Sequence, residues 1–256
     1  MGFRQALVQT QGTMCITDGG METVLLFHRG IDLPCFAAFP LLDSDAGTNE
    51  LRSYYEPYAA IARERGVGLI LDTPTWRASA DWGDRLGYDA ERLAEKNRKA
   101  VRLIEQVRAD HAPTTVVVCG TVGPRDDAYR PAALMTADEA ERYHSAQIET
   151  LADAGADMIA GLTLTYPEEA IGIARAAGRA GIPVAVSFTV ETDGRLPGSH
   201  AELDEAEELD EGDPAELAAQ YRTLRALLPT ATVVGGCCGT DHRHVAALVD
   251  AWLDAA

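Results

Sequence analysis

Short runs of apolar residues alternate along the chain with longer stretches in which apolar positions recur every three to four residues. The short runs are typical of buried strands, and the longer stretches are typical of helices that bury one face. Six strands are predicted, at residues 14–18, 67–72, 115–119, 157–162, 182–190 and 232–237. Because strands and helices alternate, we expect a parallel sheet covered by helices.

The helices between these strands are predicted from the same periodicity. Their expected bounds are 21–29, 46–66, 89–110, 136–154, 167–179 and 214–228, and a last helix begins near His242 and ends at Trp252. Thr136, followed by acids in the first turn, is a typical N-cap, and Gly66 is a typical helix stop.

The predicted strands end in polar or small residues, among them Asp18, Thr163 and Cys237. In barrels of parallel strands and helices the active site lies at the carboxyl ends of the strands. The alternation stops between Val190 and Thr232, where the sequence predicts one helix and no strand. We therefore expect an α/β fold of the TIM type, a (β/α) barrel that is incomplete with about six recognisable strands.

Two adjacent cysteines, Cys237 and Cys238, follow Gly235 and Gly236 at the last predicted strand. Thiolates bind soft metal ions, and zinc sits well among them. Consecutive strand residues point to opposite faces, so both sulfurs reach one ion only where the backbone leaves strand geometry, which the glycines permit. The alternative is a pair of small buried residues at a tight turn.

A second candidate is Asp18, which follows the first predicted strand and precedes two glycines. A carboxylate at the carboxyl end of a strand stands where active sites of parallel α/β folds are built. It can equally be the N-cap of the next helix, which aspartate does well. Position alone leaves both interpretations open.

Composition excludes several classes of function. The chain has 256 residues and a formal net charge of −18, which argues against nucleic acid as a partner because phosphate binding needs a basic surface. We find neither an apolar run long enough to span a membrane nor an apolar signal core, so we expect a cytoplasmic protein without a membrane partner. The five cysteines lack the spacing of a disulfide framework, which agrees with a reducing compartment.

Several motifs occur in one order along the chain. They are Asp18-Gly19-Gly20-Met21-Glu22-Thr23, Asp72-Thr73-Pro74-Thr75-Trp76-Arg77-Ala78-Ser79, Gly120-Thr121-Val122-Gly123-Pro124, Gly155-Ala156-Asp157 with Glu168-Glu169-Ala170, Pro183 to Phe188, and Gly235-Gly236-Cys237-Cys238-Gly239-Thr240. Together they resemble the zinc-dependent homocysteine S-methyltransferase family over about residues 12–200 and 230–250. The resemblance implies a TIM-type barrel that moves a methyl group onto the thiol of homocysteine. It also implies a single domain over residues 1–256, shortened between about 197 and 232.

The resemblance also implies a set of site residues. The zinc ligands would be Cys237 and Cys238, the catalytic residues Asp18 and Thr163, and the substrate-binding residues Gly19, Gly20, Asp72, Thr73, Thr75 and Trp76. In the family, three protein sulfurs leave the fourth zinc position open for the substrate thiol, which the metal deprotonates. Trp76 could face a cationic methyl donor through its ring, or could be ordinary core.

The sequence departs from the family in two ways. A third zinc cysteine belongs between Pro183 and Gly235, but there is no cysteine between Cys119 and Cys237. The candidates for the missing ligand are Cys119, His200, His242, His244, Asp18 or a residue of a neighbouring subunit, and each histidine is more typical of a surface residue. Thr163 stands where many members carry a glutamate that binds the amino group of the substrate. We interpret Cys15 and Cys35 as structural.

The leading functional prediction is methyl transfer from a sulfonium or ammonium donor to homocysteine or a related thiol, activated by Zn2+. The donors used by relatives include S-methylmethionine, S-adenosylmethionine and betaine. The alternative is a shortened barrel that has lost turnover and acts as a binding or interaction protein, since open strand edges tend to pair with another chain and form a homo-oligomer. A redox or metal-buffering dithiol is a third possibility.

Overall fold

The structure is a computed structural model that describes residues 2–128, 134–190, 196 and 211–254. Residues 197–210, the first part of the interval in which the sequence predicts a shortening, lie outside the described residues, and so does the candidate ligand His200. Among the described helices, none combines the length and the apolar character that crossing a membrane requires.

In the part of the chain that the structure describes, six parallel strands form one sheet, as the alternation of apolar runs predicts. The strands are β1 Cys15–Thr17, β2 Gly68–Asp72, β3 Val116–Val122, β4 Met158–Leu164, β5 Val184–Phe188 and β6 Val233–Val234. Their order across the sheet is β5-β4-β3-β2-β1-β6, and every neighbouring pair is parallel. β6 is shorter than the predicted strand 232–237, so both cysteines of the dithiol lie in the turn after it.

The helices pack on the outside of the sheet. They are α1 Met21–Thr23, continued by a π-helical turn Val24–His28, then α2 Asp45–Arg65, α3 Ala80–Arg85, α4 Ala90–Asp110, α5 Ala137–Ala154, α6 Pro167–Arg179, α7 Pro214–Leu227 and α8 His242–Asp254. α3 was not expected, because six residues are too few to show a helical period. Thr136 and Glu139 form a capping box at α5, and Gly66 ends α2 with a positive φ of 65°, both as predicted.

The two faces of the central strands build two layers of core. All seven residues of β3 are buried. Val116 and Val118 pack with the surrounding helices, whereas Val117 and Cys119 pack with Ile70 in a second cluster on the opposite face. This alternation follows from the two-residue repeat of a strand. The central strands are therefore buried on both faces of the sheet, which is why their sequences are almost continuously apolar.

The barrel is open. Among the described residues, β5 and β6 pair with a neighbour on one side only. Four of the five residues of β5 are exposed, among them Val186 and Phe188, which in a closed barrel would be covered by further strands. The six strands and their helices form a half-barrel, which confirms the incomplete TIM-type barrel.

If the edge at β5 is open in solution, truncating an exposed valine of β5 will lower the free energy of unfolding far less than truncating a buried valine of β3. Val186 is 43% exposed and Val118 is fully buried. We expect Val186→Ala to change the free energy of unfolding by less than about 0.5 kcal/mol, and Val118→Ala to lower it by about 2 kcal/mol. Urea unfolding at low protein concentration measures both. A cost for Val186→Ala as large as that of its buried counterpart would show that the edge is covered.

Candidate functional site

A cavity of about 520 Å³ opens at the carboxyl ends of the strands. Its walls come from the turns after β1 and β2, from the ends of β3, β4 and β5, and from the turn after β6. Of the predicted site residues it contains Asp18, Gly19, Gly20, Asp72, Thr73, Trp76, Thr163, Cys237 and Cys238. The structure therefore brings together nine of the ten residues that the sequence assigns to the site, and the tenth is Thr75.

The turn after β1 packs directly on the turn after β6. The Gly20 amide donates a hydrogen bond to the Thr240 carbonyl at 3.0 Å. A Cβ on Gly19 would lie 2.6 Å from that carbonyl oxygen, and a Cβ on Gly20 would lie 2.8 Å from the carbonyl oxygen of Cys237. Neither distance is possible for a real side chain, so the two glycines are what allows this approach. Their contact with substrate remains a prediction, but their contact with the dithiol turn is structural.

Both sulfurs of the dithiol belong to exposed residues that line the cavity. This excludes the alternative of two small buried residues at a turn. The Cys238 thiol donates a hydrogen bond to the sulfur of Cys237, which lowers the pKa of Cys237 to about 6. Its role as donor, together with burial, raises the pKa of Cys238. The pair therefore carries one proton and one negative charge near neutral pH.

Asp18 and Asp72 are the two carboxylates at the floor of the cavity. Burial, and then the nearby charge of Asp72, raise the pKa of Asp18 well above its usual range. Burial also raises the pKa of Asp72. Asp18 accepts hydrogen bonds from the Tyr54 hydroxyl at 3.2 Å and from the backbone amide of Asp72 at 3.4 Å. Asp18 does not cap α1, whose N-cap is Gly20 without a side-chain hydrogen bond, so the N-cap interpretation is wrong.

A network of threonines fixes the turn after β2. The Thr73 and Thr75 hydroxyls lie 2.6 Å apart, and the Thr75 hydroxyl donates to the Thr121 carbonyl at 2.7 Å. The Thr121 amide donates back to the Thr73 hydroxyl at 2.9 Å. Thr75 is completely buried behind the cavity wall. Its position does not support direct contact with substrate and gives it a structural role in the turn.

Trp76 and Thr163 are joined across the cavity wall. The Trp76 Nε1–H donates to the Thr163 hydroxyl at 3.0 Å, and that hydroxyl donates to the Leu162 carbonyl at 2.6 Å. Thr163 has a φ of 59°, which is uncommon for a β-branched residue and typical of strain at functional sites. One side of the Trp76 ring carries the guanidinium of Arg77, 4.0 Å from the ring centroid. The ring is therefore a half-buried wall of the cavity rather than ordinary core.

The described residues do not complete a zinc site. Two thiols are suitable donors for zinc, but within the described ranges no group of three His, Cys, Asp or Glu residues is placed to hold a metal ion. Cys119 is buried and hydrogen-bonded with Asp72, and burial and Asp72 raise its pKa well above the usual range. His242 is exposed at the start of α8. His244 is buried, contrary to the expectation of a surface residue, because its ring bonds Asp241 and the Gly212 carbonyl.

The remaining cysteines lie outside the cavity wall. Cys15 is buried in the cluster on the inner face of the sheet, as expected of a structural thiol. Cys35 is exposed, in a turn where both it and Phe36 have positive φ values of 56° and 54°. Its interpretation as a structural residue therefore stays a prediction, and the structure places it outside the buried core.

Three charged residues of the cavity wall, Glu22, Arg77 and Asp127, were not singled out from the sequence. Glu22 and Arg77 stand inside motifs that carry the resemblance, Glu22 directly after Met21 and Arg77 directly after Trp76. The sequence does not show that Glu22 and Arg77 lie in the same cavity wall, because that depends on how the turns after β1 and β2 meet.

These features define a class of protein: an open parallel α/β barrel with a dithiol and buried carboxylates at the carboxyl ends of its strands. The sequence model described as homocysteine S-methyltransferase matches residues 15–212 and 199–252. The chain therefore belongs to the homocysteine S-methyltransferase family. Comparison with curated proteins gave no significant match.

Solved structures show the same fold. The oxidized form of the homocysteine methyltransferase MmuM from Escherichia coli is 21% identical, with a TM-score of 0.72 over 96% of this chain and 98% of that chain. Its metallated form gives 22% identity and 0.68 over 95% and 98%, and its apo form 22% and 0.62 over 96% and 98%. At these identities the likeness supports the barrel architecture alone.

The shared proton of the dithiol predicts a shifted pH profile for alkylation. Iodoacetamide reacts with thiolates, so its rate at Cys237 will fall about tenfold per pH unit below pH about 6 and level off above it. Cys238→Ala removes the donor and will move this midpoint up towards about 8.5. Cys238→Ser keeps a hydroxyl donor and is the matched control. Mass spectrometry of the Cys237 peptide measures the rates, and identical midpoints in the wild type and Cys238→Ala would contradict the shared proton.

Proposed function

We propose that the chain transfers a methyl group from a sulfonium or ammonium donor to the thiol of homocysteine or a related thiol. The observation that carries this proposal is that the exposed dithiol Cys237–Cys238 and the buried carboxylate Asp18 line one cavity. Family membership supports the reaction class, and the product from homocysteine is methionine. The cavity volume fits small-molecule substrates rather than a macromolecule.

The reaction is a displacement at carbon. The substrate sulfur forms a bond to the methyl carbon while the bond from that carbon to the sulfonium sulfur or ammonium nitrogen breaks, and the electron pair stays on the donor. The cavity contributes by aligning the two substrates, since in-line geometry carries much of the rate. Positive donors are favoured by the acidic wall of Asp18, Asp72 and Glu22 and by the exposed part of the Trp76 ring.

The proton of the substrate thiol must be removed, because only the thiolate is a good nucleophile. We propose Asp18 as the residue that accepts it. Burial and Asp72 raise the pKa of Asp18, and this makes its carboxylate a stronger base than an exposed aspartate. Thr163 is engaged with Trp76 and Leu162, so its proposed catalytic role is to hold the Trp76 ring against the substrates.

We propose Cys237 and Cys238 as two ligands of a Zn2+ ion. What supports this is the chemistry of the sulfurs, their exposure to the cavity and the family. What speaks against a complete site is the lack of a third ligand among the described residues. Further protein ligands would come from residues outside the described part or from a neighbouring subunit. The steps above therefore do not depend on the ion.

The second candidate function is a binding or interaction protein without turnover, with the chain as a homo-oligomer. The specific observation is that β5 has no partner strand on one side among the described residues, and that Val186 and Phe188 in β5 and Val190 after it are exposed. Unpaired backbone groups beside exposed apolar side chains favour pairing with another chain. For the enzyme, in contrast, we propose a soluble protein of the cytoplasm whose partners are a small-molecule thiol and a methyl donor.

The test is formation of methionine from homocysteine with each of three donors: S-methylmethionine, S-adenosylmethionine and betaine. We expect product with at least one donor. Because Cys237 and Cys238 are the proposed zinc ligands, Cys237→Ser/Cys238→Ser will lower the rate at least about a hundredfold if zinc activates the substrate thiol, and Asp18→Asn, which removes the proposed base, will lower it by a similar factor. Cys35→Ser, an exposed cysteine outside the cavity wall, is the control and will keep the wild-type rate.

Folded protein that forms no methionine with any of the donors, and that sediments as an oligomer, would favour the interaction protein. Metal analysis of the same preparations, purified without chelator, separates the zinc proposal from the reaction. Less than about a tenth of an equivalent of zinc, unchanged in the double variant, would overturn zinc binding by the dithiol.

A further inference from the structure

The cavity wall holds a fixed cation that the proposed chemistry does not use. Arg77 is 6% exposed, and its guanidinium lies 4.0 Å from the centroid of the Trp76 ring and 3.7 Å from that of Trp82. Guanidinium groups stack on aromatic faces, and two rings on one guanidinium restrict its orientation. Arg77 therefore presents a positive group to the cavity at little further cost in side-chain entropy.

Part of the hydrogen-bonding capacity of this guanidinium is unused. Its Nη1 donates to the Asp126 carbonyl at 3.0 Å, while its buried Nε has no acceptor among the described residues. Burial lowers the pKa of Arg77 to about 10, and the charge of Asp127 acts in the opposite direction, so the group stays cationic at neutral pH. A buried charged donor without an acceptor is costly, and a carboxylate is the planar partner that a guanidinium binds best.

The same cavity holds an anion that is not committed elsewhere. Glu22 is half-buried in the wall, and its carboxylate forms no ion pair with a described residue. Asp18, by contrast, already accepts hydrogen bonds from Tyr54 and Asp72. Burial raises the pKa of Glu22 to about 7, while Arg77 lowers it. A bound cation would stabilise the charged form of Glu22 further.

We propose that Arg77 and Glu22 are the specificity-determining pair of the cavity and bind the two ends of an α-amino acid, Arg77 the carboxylate and Glu22 the ammonium. The proposal rests on the proposed function, because it assigns residues to the two charged groups of the substrate proposed there. The hydroxyl of Thr163 is engaged by Trp76 and bears no charge, and the charge of Asp127 acts on Arg77, so we assign the ammonium group to Glu22. The pair excludes thiols that lack either charged group.

The test uses three thiols of matched length. Homocysteine carries both charged groups, 3-aminopropane-1-thiol lacks the carboxylate, and 4-mercaptobutanoate lacks the ammonium. Calorimetry on the full chain measures their dissociation constants without a methyl donor. The variants are Glu22→Gln and Arg77→Lys. Arg85→Gln is the control, since Arg85 also stacks on Trp82, at 4.4 Å, but is exposed and lies outside the cavity wall.

Each variant should weaken only the thiols that carry its partner group. We expect Glu22→Gln to weaken homocysteine and 3-aminopropane-1-thiol at least about tenfold and to leave 4-mercaptobutanoate unchanged, because a charge-assisted hydrogen bond is lost. Arg77→Lys will weaken homocysteine and 4-mercaptobutanoate by a similar factor and spare the amine, since a lysine cannot reproduce the planar fork. Arg85→Gln will change none of the three.

Equal effects on all three thiols, or none, in Glu22→Gln would overturn the pair. This variant decides the matter even if Arg77→Lys fails to fold, because Glu22 is half-buried and its replacement keeps the shape of the side chain. Failure of the proposed function looks different: the thiols would be bound selectively, but methionine would not form with any donor. Methyl transfer with an unchanged preference among the thiols in both variants would leave the function standing and refute the pair.

Discussion

The close approach of two glycine-containing turns is the contact on which the rest of the site depends. Gly19 and Gly20, after β1, lie against the backbone of Cys237 and Thr240, after β6, at distances that a side chain would not permit. The hydrogen bond from Gly20 to Thr240 fixes this contact, and the parallel pairing of β1 with β6 aligns the two turns. Residues more than 200 positions apart in the chain thus form one wall, which places the dithiol beside Asp18.

This contact explains how an open barrel keeps a cavity. β1 is the strand between β2 and β6, so the turns that carry most of the site residues follow three neighbouring strands. Among the described strands, the gap in the barrel lies beyond β5 and β6. The electrostatics of the site follow from the same arrangement. Burial raises the pKa values of Asp18 and Asp72, and the shared proton of the cysteine pair leaves one thiolate facing them. Arg77 places a positive charge among these acidic residues of the cavity wall.

The sequence predicted the strands and most helices because buried parallel strands are short apolar runs with turn residues at both ends. It also predicted that the barrel is incomplete, and the strands of the described residues do not close it. It did not predict that β6 has only two residues, because strand length depends on a partner strand that the described part of the chain lacks on the far side. The burial of His244 and of Thr75 was not evident, since both depend on hydrogen bonds to residues distant in the sequence. Arg77 was missed for the same reason: its significance comes from Trp82 and from the cavity.

The most direct measurement of the central claim is the rate at which homocystine forms a mixed disulfide with Cys237, with Cys35 as the internal reference. The Cys238→Ser variant keeps the adduct from being resolved, and attack by the Cys237 thiolate releases one homocysteine. For each cysteine, the rate with homocystine is divided by the rate with bis(2-hydroxyethyl) disulfide. We expect this ratio to be at least about tenfold larger at Cys237 than at Cys35, because the cavity binds the substrate beside the dithiol. An equal preference at both cysteines would show that the dithiol does not face a homocysteine site.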